Sequence, residues 1–458
     1  MKVVICGAGQ VGTSIARHLA GENNDVTVVD QDPRLTQKIS DTLDVRAITG
    51  FASHPGILEQ AGVGDADMLI AVTYSDEVNM VACQVGHSLF DVPTKIARVR
   101  NQSYLQPIWG DLFSRDHMPI DVIISPEQEV AKAIGRRLQV PGALDVVPMA
   151  DGRIRVVGVR CDDTTPILNT PLRQLTSLFH DLDIVIVGIL RNERAIVPKP
   201  DDQMLPGDEV YFVCDSTHLG RAMAAFGHEE PEARSIIIAG GGNIGLTLAE
   251  EIKRDHPGVT AKIIEFSRER ARHVAQTLGN VMVLNGDVLD PEILEEANIS
   301  QTETFVAVSN DDEVNILSSL LAKRSGCDRT VALINASTYA PLITQLGIDA
   351  VVNPRAITVS SILQHVRRGR IRAVYSVRED FGEVIEAEAL ETSTLVGKPL
   401  KDARLPSGVI VGAILRRDTV IMPRGDTVIE AKDRVVVFAT YEAVKKVERM
   451  FAVRLDFF

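Results

Sequence analysis

The sequence is poor in aromatic residues, has no cysteine pair and carries no surplus of positive charge. Phe, Trp and Tyr make up 4% of the 458 residues, and tryptophan occurs once. The core must therefore be aliphatic, in the manner of the near-continuous Val/Ile strands of parallel sheets. The five cysteines, Cys6, Cys83, Cys161, Cys214 and Cys327, stand far apart with no CxxC spacing. That pattern excludes a disulfide framework and the common structural zinc sites, and it fits a reducing, cytoplasmic compartment. The ten histidines contain no HExxH and no pair four residues apart, so no metal site is expected. Lys and Arg total 48 against 62 Asp and Glu, a formal charge of −14. Nucleic acids and anionic lipid surfaces call for the opposite sign. No apolar run approaches the roughly 18 residues of a membrane span, and MKVVICGAGQVG leads straight into a folded pattern instead of a signal peptide. Insertion into a membrane is not expected. With 33 Gly and 21 Pro, the chain is also not compositionally disordered.

What the sequence does contain is a repeat. Lys2–Cys6 followed by Gly7-Ala8-Gly9-Gln10-Val11-Gly12 returns as Ser235–Ala239 followed by Gly240-Gly241-Gly242-Asn243-Ile244-Gly245. Pro55–Ala61 returns as Pro291–Ala297, Asp76-Glu-Val-Asn79 as Asp312-Glu-Val-Asn315, and Ile120–Pro126 as Ile348–Pro354, the offset drifting from 233 to 236 over the first three matches. Beyond the proline, Val187–Arg191 answers loosely to Val411–Arg416, and Pro206–Val213 to Ala431–Phe438. Length alone suggests about three domains at roughly 150 residues each. The repeat makes it two copies of a two-part unit, joined by the polar stretch 227–234.

In the first part of each unit, short apolar runs alternate with helical periodicity, the signature of βαβ units and a parallel sheet. Expected strands in the first half are Val3–Cys6, Val26–Val29, Val45–Thr49, Met68–Thr73, Thr94–Val99 and Val122–Ser125. Val78, Val81, Ala82, Val85 and Leu89 share one face of an intervening helix, as Val314, Leu317, Leu320 and Leu321 do in the second half. The second part of each unit has alternating short strands, including Ile154–Val159, Ile184–Leu190 and Val210–Val213. The fold class is α/β, with two tandem Rossmann-like parallel-sheet domains, each followed by a crossover helix and a small α+β domain. The expected bounds are 1–125, 126–140 and 141–226 for the first unit, 227–234 for the linker, and 235–353, 354–370 and 371–458 for the second. The helices after Ser125-Pro126 and Asn353-Pro354 can carry a domain across to a partner, or serve as ordinary linkers.

Each GxGxxG follows an apolar strand, opens an amphipathic helix and precedes an acid at the end of the next strand, the context a dinucleotide site requires. Gly7 and Gly240 permit the tight turn, Gly9 and Gly242 leave room for a pyrophosphate, and Gly12 and Gly245 let helix and strand approach. The N–H groups of the helix start, among them those of Gln10, Val11, Asn243 and Ile244, face the phosphates. Asp30 and Glu265 are placed to accept hydrogen bonds from the ribose hydroxyls and to repel a 2′-phosphate, so NAD or ATP is expected, and NADP is not. The competing reading of both is a solvated loop acid. Thr73 and Tyr74, where the fourth strand stops, are expected near the adenine or ribose. Asp76 and Glu77 compete for a helix N-terminal role. Arg98 lies in a strand built for burial and asks for an anionic partner, either a phosphate or a structural carboxylate. At an offset of 236 its counterpart is Ile334, so the two sites differ in charge. The segments Thr49–Ser53 and Asn285–Asp287 are weaker candidates. No His or Lys recurs at matching positions as an acid–base group, so no catalytic residue is assigned and sensing is favoured over turnover. The alternatives are an NAD-dependent oxidoreductase and a redox-sensing transcription factor, the latter lacking any basic reading element.

This arrangement resembles the regulators of potassium conductance. The resemblance rests on the first glycine motif with Asp30, on Thr73–Asn79, on Arg98 and on the duplication, and it covers essentially the whole chain. The tandem form resembles NAD-binding peripheral subunits of bacterial potassium uptake systems. It implies a non-enzymatic subunit that senses NAD or NADH and, with Glu265 and no second Arg98, also ATP or ADP. Single units of the family assemble in rings of eight, so a tandem chain is expected as a homotetramer. It would be docked on an integral-membrane potassium channel or transporter, peripheral on the cytoplasmic face of the inner membrane.

Overall fold

A computed structural model describes residues 1–451 apart from 180–181, 193, 340–342, 344–345, 367–370 and 379–380. Strands β1 (Lys2–Cys6), β2 (Asp25–Asp30), β3 (Arg46–Thr49), β4 (Met68–Ala71), β5 (Thr94–Arg98) and β6 (Val122–Ile124) form a parallel sheet in the order β3-β2-β1-β4-β5-β6. Alternate residues of β1 serve opposite faces: Val3 and Ile5 enter one core with Ile15, Leu19 and Ile70, whereas Val4 and Cys6 enter another with Leu58, Leu69 and Cys83. A sheet covered on both sides needs an unbroken apolar run, and this is why the strands read as they do. The strand order reverses between β2 and β4, on either side of β1, opening a crevice at the carboxyl ends of the strands.

After this sheet come five antiparallel strands, β7 (Ala143–Met149), β8 (Ile154–Arg160), β9 (Ile184–Arg191), β10 (Arg194–Ile196) and β11 (Glu209–Asp215), ordered β10-β9-β11-β8-β7. The second half repeats both sheets. The strands β12 (Ser235–Ala239), β13 (Thr260–Glu265), β14 (Met282–Asn285), β15 (Thr304–Ala307), β16 (Arg329–Leu333) and β17 (Ala350–Val352) are parallel, in the order β14-β13-β12-β15-β16-β17. Strands β18 (Ile371–Arg378), β19 (Gly382–Glu388), β20 (Val409–Arg416), β21 (Thr419–Ile421) and β22 (Arg434–Thr440) close the set as β18-β19-β22-β20-β21. The loose match between the small domains has a structural cause. Arg191 grips the buried Asp208 with two hydrogen bonds of 2.8 Å, and Arg416 grips the buried Asp433 at 2.9 and 2.8 Å.

The two small sheets share a core. Val187, Tyr211 and Val213 pack with Phe381, Ala413 and Phe438, the Tyr211 and Phe381 rings meeting edge-on at 6.5 Å. Polar contacts bridge them too, Arg434 bonding both Asp151 and Glu386, and Ala150 N–H donating to Glu386 at 2.7 Å.

The chain forms two compact units, residues 1–130 with 354–366, and 131–353 with 367–458. The helix Pro354–Val366 of the second half thus belongs with the first Rossmann sheet, where Val359, Ile362, Leu363 and Val366 join the core of Ile15 and Leu19. The helix Pro126–Gln139 reciprocates from Ala131 onward: Gln139 hydrogen-bonds His256 at 2.9 Å, and Gly135 lies against Glu251. These helices are not simple linkers; each crosses to the Rossmann domain of the other half.

One expected face is placed differently. The helix Asp76–Phe90 turns Asn79, Met80, Cys83 and Gly86 inward, leaving Val81 42% and Leu89 61% exposed. Small residues at 82, 83 and 86 let the helix lie close on the sheet, so Ala82 of the expected face is fully buried and Val78 and Val85 pack against the core, while Val81 and Leu89 at its edges point out. Leu317, 50% exposed, repeats the outward position in the second half.

Candidate functional site

Two glycines of each turn are demanded by the protein's own packing, and one is not. Gly7 has φ +114° and Gly240 φ +111°, a region open mainly to glycine, and a Cβ on either would press on the backbone of Val72 or Val308 at about 3 Å. A Cβ on Gly12 would lie 1.8 Å from the Gly7 carbonyl, and one on Gly245 1.9 Å from that of Gly240. Gly9 and Gly242 are extended, and a Cβ there would meet nothing within 4 Å. Their bareness serves only the space above the turn. In that space the helices Gln10–Gly21 and Asn243–Asp255 begin without any side-chain cap, so the N–H groups of their first turns are free to meet an anion.

The acids predicted to hold ribose also brace the turns. Asp30 accepts from Ala8 N–H at 2.7 Å and from Asp32 N–H at 2.9 Å, one bond to each carboxylate oxygen. Glu265 does the same with Gly241 and Ser267, both at 2.7 Å. A carboxylate oxygen accepts more than one hydrogen bond, so capacity for hydroxyl donors remains. Neither acid is a free, solvated loop residue.

The opposite wall is held by a residue that sequence reasoning passed over. Asn79, fully buried, accepts from the N–H and hydroxyl of Thr73 at 2.8 and 2.7 Å, and donates to the carbonyls of Thr73 and Arg98 at 3.2 and 2.9 Å. Asn315 repeats the backbone bonds of this set, accepting from the Ser309 N–H and donating to the carbonyls of Ser309 and Leu333. The repeated DEVN segment carried the signal, but only its acids were weighed. Asp76 does not act chiefly on its own helix. Its carboxylate takes the N–H groups of Arg100 and Asn101 at 3.0 and 2.8 Å, as Asp312 takes those of Asn335 and Ala336. Glu77 accepts from the Ser75 hydroxyl, which holds its carboxyl below the usual range. Tyr74 stands 87% exposed at the rim. Of the weaker candidates, Thr49 hydrogen-bonds Thr36 at 2.8 Å, and Asn285 donates to the carbonyls of Glu265 and Phe266 at 2.9 Å.

These hydrogen bonds correct the alignment of the halves at β5. Asn79 reaches Arg98 where Asn315 reaches Leu333, and β4–β5 pairing places Ala97 opposite Ala71, as Ala332 lies opposite Ala307. The counterpart of Arg98 is therefore Leu333, at an offset of 235, not Ile334. One residue is lost between the DEVN helix and the strand, which a constant offset cannot register.

Arg98 is the charged group of the first site. Its Nη2 donates to the Thr73 carbonyl at 2.7 Å, while its Nε is buried without a partner among the described residues. Burial, reinforced by Arg100, holds its pKa below the ordinary guanidinium value against the pull of Glu127 and Asp76. A desolvated cation with an idle donor at the carboxyl end of a strand is suited to an anion. The second half moves its cation elsewhere. Arg270 donates to the Gly241 carbonyl at 2.6 Å and to Asn243 Oδ1 at 3.3 Å, over the turn itself. Open glycine turns, uncapped helices and one cation per site fit a phosphate-bearing nucleotide such as NAD.

The chain is similar to known proteins along its whole length. Residues 3–126 and 236–354 match the model of the TrkA-N domain, and residues 156–227 and 384–452 that of the TrkA-C domain. The chain is 55% identical to a Trk system potassium uptake protein TrkA of Azorhizobium caulinodans, over 100% of both chains. It is 42% identical to a protein of the same name from Halomonas elongata, again over 100% of both. Among solved structures, a GsuK channel bound to NAD is similar in fold, with a TM-score of 0.59 and 19% identity over 99% of this chain and 79% of that one. The chain belongs to the family of the Trk system potassium uptake proteins TrkA, with TrkA-N and TrkA-C domains in tandem.

Proposed function

We propose that the chain is a regulatory subunit that senses nucleotides and gates a membrane potassium uptake channel or transporter. The observation that carries this reading is the duplicated, open glycine turn, paired in the first site with the idle Nε of Arg98. Gly7, Gly9, Gly12, Asp30, Thr73, Tyr74 and Arg98 would hold NAD, NADH, ATP or ADP in the first site, with the N–H groups near Ala8, Gln10 and Val11. Gly240, Gly242, Gly245, Glu265 and Arg270 would do so in the second, with Asn243 and Ile244.

Gating requires a nucleotide to bind one conformation better than another, typically by about 1–3 kcal/mol. The crossover helices support such coupling, since each is packed on a Rossmann domain whose chain segment lies in the other half. The exposed Val81, Leu89 and Leu317 support self-association, with a homotetramer as the proposed state. No helix among the described residues is long and apolar enough to cross a membrane. The proposed location is peripheral, on the cytoplasmic face of a membrane partner.

The test is calorimetry with NADH, NAD, ATP and ADP, joined to co-purification with a potassium-transporting membrane protein and flux measurement as each nucleotide is added. Binding without any effect on flux would reject gating, and absence of binding would reject sensing.

A further inference from the structure

The second Rossmann sheet has a cavity at the end away from its glycine turn. About 370 Å³ in volume, it lies where β15, β16 and β17 begin, and its other wall is the first small domain, from the turn 141–144 to Arg160 and Asp162. From Arg329 at the start of β16 to Leu333 at its end is about 13 Å, so this cavity is separate from the nucleotide crevice. The volume falls in the range of about 300–1,000 Å³ usual for small-molecule sites.

Most charges lining it are already matched. Arg137 pairs with Asp145 at 3.1 Å, and Arg160 with Glu209 at 2.7 Å. Asp349 is held by Lys323 at 3.1 Å and by the N–H of Thr330 at 2.7 Å. Asp162 is satisfied by the N–H and hydroxyl of Thr164 at 2.8 and 2.6 Å, and Glu230 lies 3.6 Å from His228 Nδ1. Among the cations Arg329 is the exception, and the exposed carboxylate of Asp328 beside it is likewise without an ion pair among the described residues. The Nη1 of Arg329 is buried without a hydrogen-bond partner, and among the described residues no carboxylate, the adjacent Asp328 included, pairs with it. The guanidinium of Arg329, half-buried at the start of β16, therefore lacks an ion pair among the described residues, and a ligand oxyanion would supply one. The buried Thr304 lines the same cavity and adds a hydroxyl.

We infer that this cavity is an effector site for a compact metabolite read through its oxyanion, a carboxylate or a phosphate. Arg329 of the Rossmann strand is its anchor, and Arg160 of the small-domain strand its opposing wall. Such a ligand joins two domains within one compact unit, and its site is independent of whether the crevices bind nucleotides.

The probes are inorganic phosphate and citrate, titrated calorimetrically into the full chain carrying Gly9→Glu and Gly242→Glu, with sodium chloride matching ionic strength. These substitutions block the glycine turns, which would themselves hold phosphate, and neither introduces a Cβ clash. Saturable binding of one anion per chain is expected, phosphate alone indicating a phosphorylated ligand and citrate a carboxylic acid. Arg329→Gln should weaken it about tenfold or more, the loss of a charge-assisted hydrogen bond. Thr304→Val should weaken it less. If Arg329→Gln fails to fold by circular dichroism, Arg160→Gln and Thr304→Val decide. Absence of saturation with both anions at millimolar concentration, or undiminished affinity in the folded variants, overturns the proposal.

Discussion

The side-chain oxygen of Asn79 accepts two hydrogen bonds from Thr73, one from its N–H and one from its hydroxyl, while the Asn79 amide reaches the carbonyl of Arg98. A single buried side chain thus fastens the ends of two adjacent strands at the crevice. Asn79→Ala leaves buried donors and acceptors unmatched at about 1–3 kcal/mol each where water cannot replace them. A loss of about 3 kcal/mol is expected, read as a lowered urea midpoint at constant slope. Asn79→Asp keeps the acceptor but sets a carboxylate against two carbonyls, so it should not rescue stability. Asn315→Ala should behave alike in the second half.

The glycines of one turn should separate folding from binding. Gly12→Ala forces a methyl onto the Gly7 carbonyl, where 1.8 Å is available, so backbone must move. A loss above about 3 kcal/mol, or failure to accumulate, is expected. Gly9→Glu has open space around its Cβ and should yield folded protein with a normal circular dichroism spectrum. Its bulk and charge should nevertheless abolish calorimetric NADH binding at the first site. If Gly9→Glu binds as wild type does, the crevice above this turn is not the nucleotide site.

Sheet order and the paired glycine turns were legible because a doubly covered parallel strand and a tight turn constrain nearly every residue in them. The strands expected at Val3–Cys6 and Thr94–Val99 are observed at Lys2–Cys6 and Thr94–Arg98. What escaped was direction and partnership. Val81 and Leu89 share the spacing of the core face with Ala82, yet only Ala82 is fully buried, because Cys83 and Gly86 beside it make a closer fit to the sheet than the larger side chains. Asp30 and Asp76 could be recognised as important acids, but their backbone N–H partners come from loops folded back upon them, which no local pattern reveals. The exchange of Arg98 for Arg270 required true strand register, since one deleted residue hid the equivalence of Arg98 and Leu333.

That exchange implies distinct electrostatics at the two sites. Arg98 is largely buried and Arg270 lies over an exposed turn, so the first is less screened by salt. Arg98→Gln should reduce ATP affinity at one class of site by about tenfold, a charge-assisted hydrogen bond being worth about 1.5–3 kcal/mol, with weak salt dependence. Arg270→Gln should reduce it at the other class by a smaller, salt-sensitive factor. Calorimetry of the two variants at low and high salt should give complementary stoichiometries. Identical effects on both classes would show that the cations do not divide between the halves.

The contact between the crossover helix Pro126–Gln139 and the second Rossmann domain carries its own pH dependence. Glu251 faces Gly135 there, and burial raises its pKa above the ordinary 4.5 despite the attraction of Arg254, Lys132 and Arg136. A carboxyl whose folded pKa exceeds its unfolded one binds its proton more tightly when folded. Stability from this group is therefore full below 4.5 and declines as pH rises through the folded value. Glu251→Gln keeps the shape, removes the charge and should raise the urea midpoint at neutral pH. Below pH 4.5, where wild-type Glu251 is already protonated, variant and parent should coincide. A variant less stable than the parent at neutral pH would mean that Lys132 and Arg136 outweigh desolvation, and that an ion pair, not neutral packing, holds the crossover helix in place.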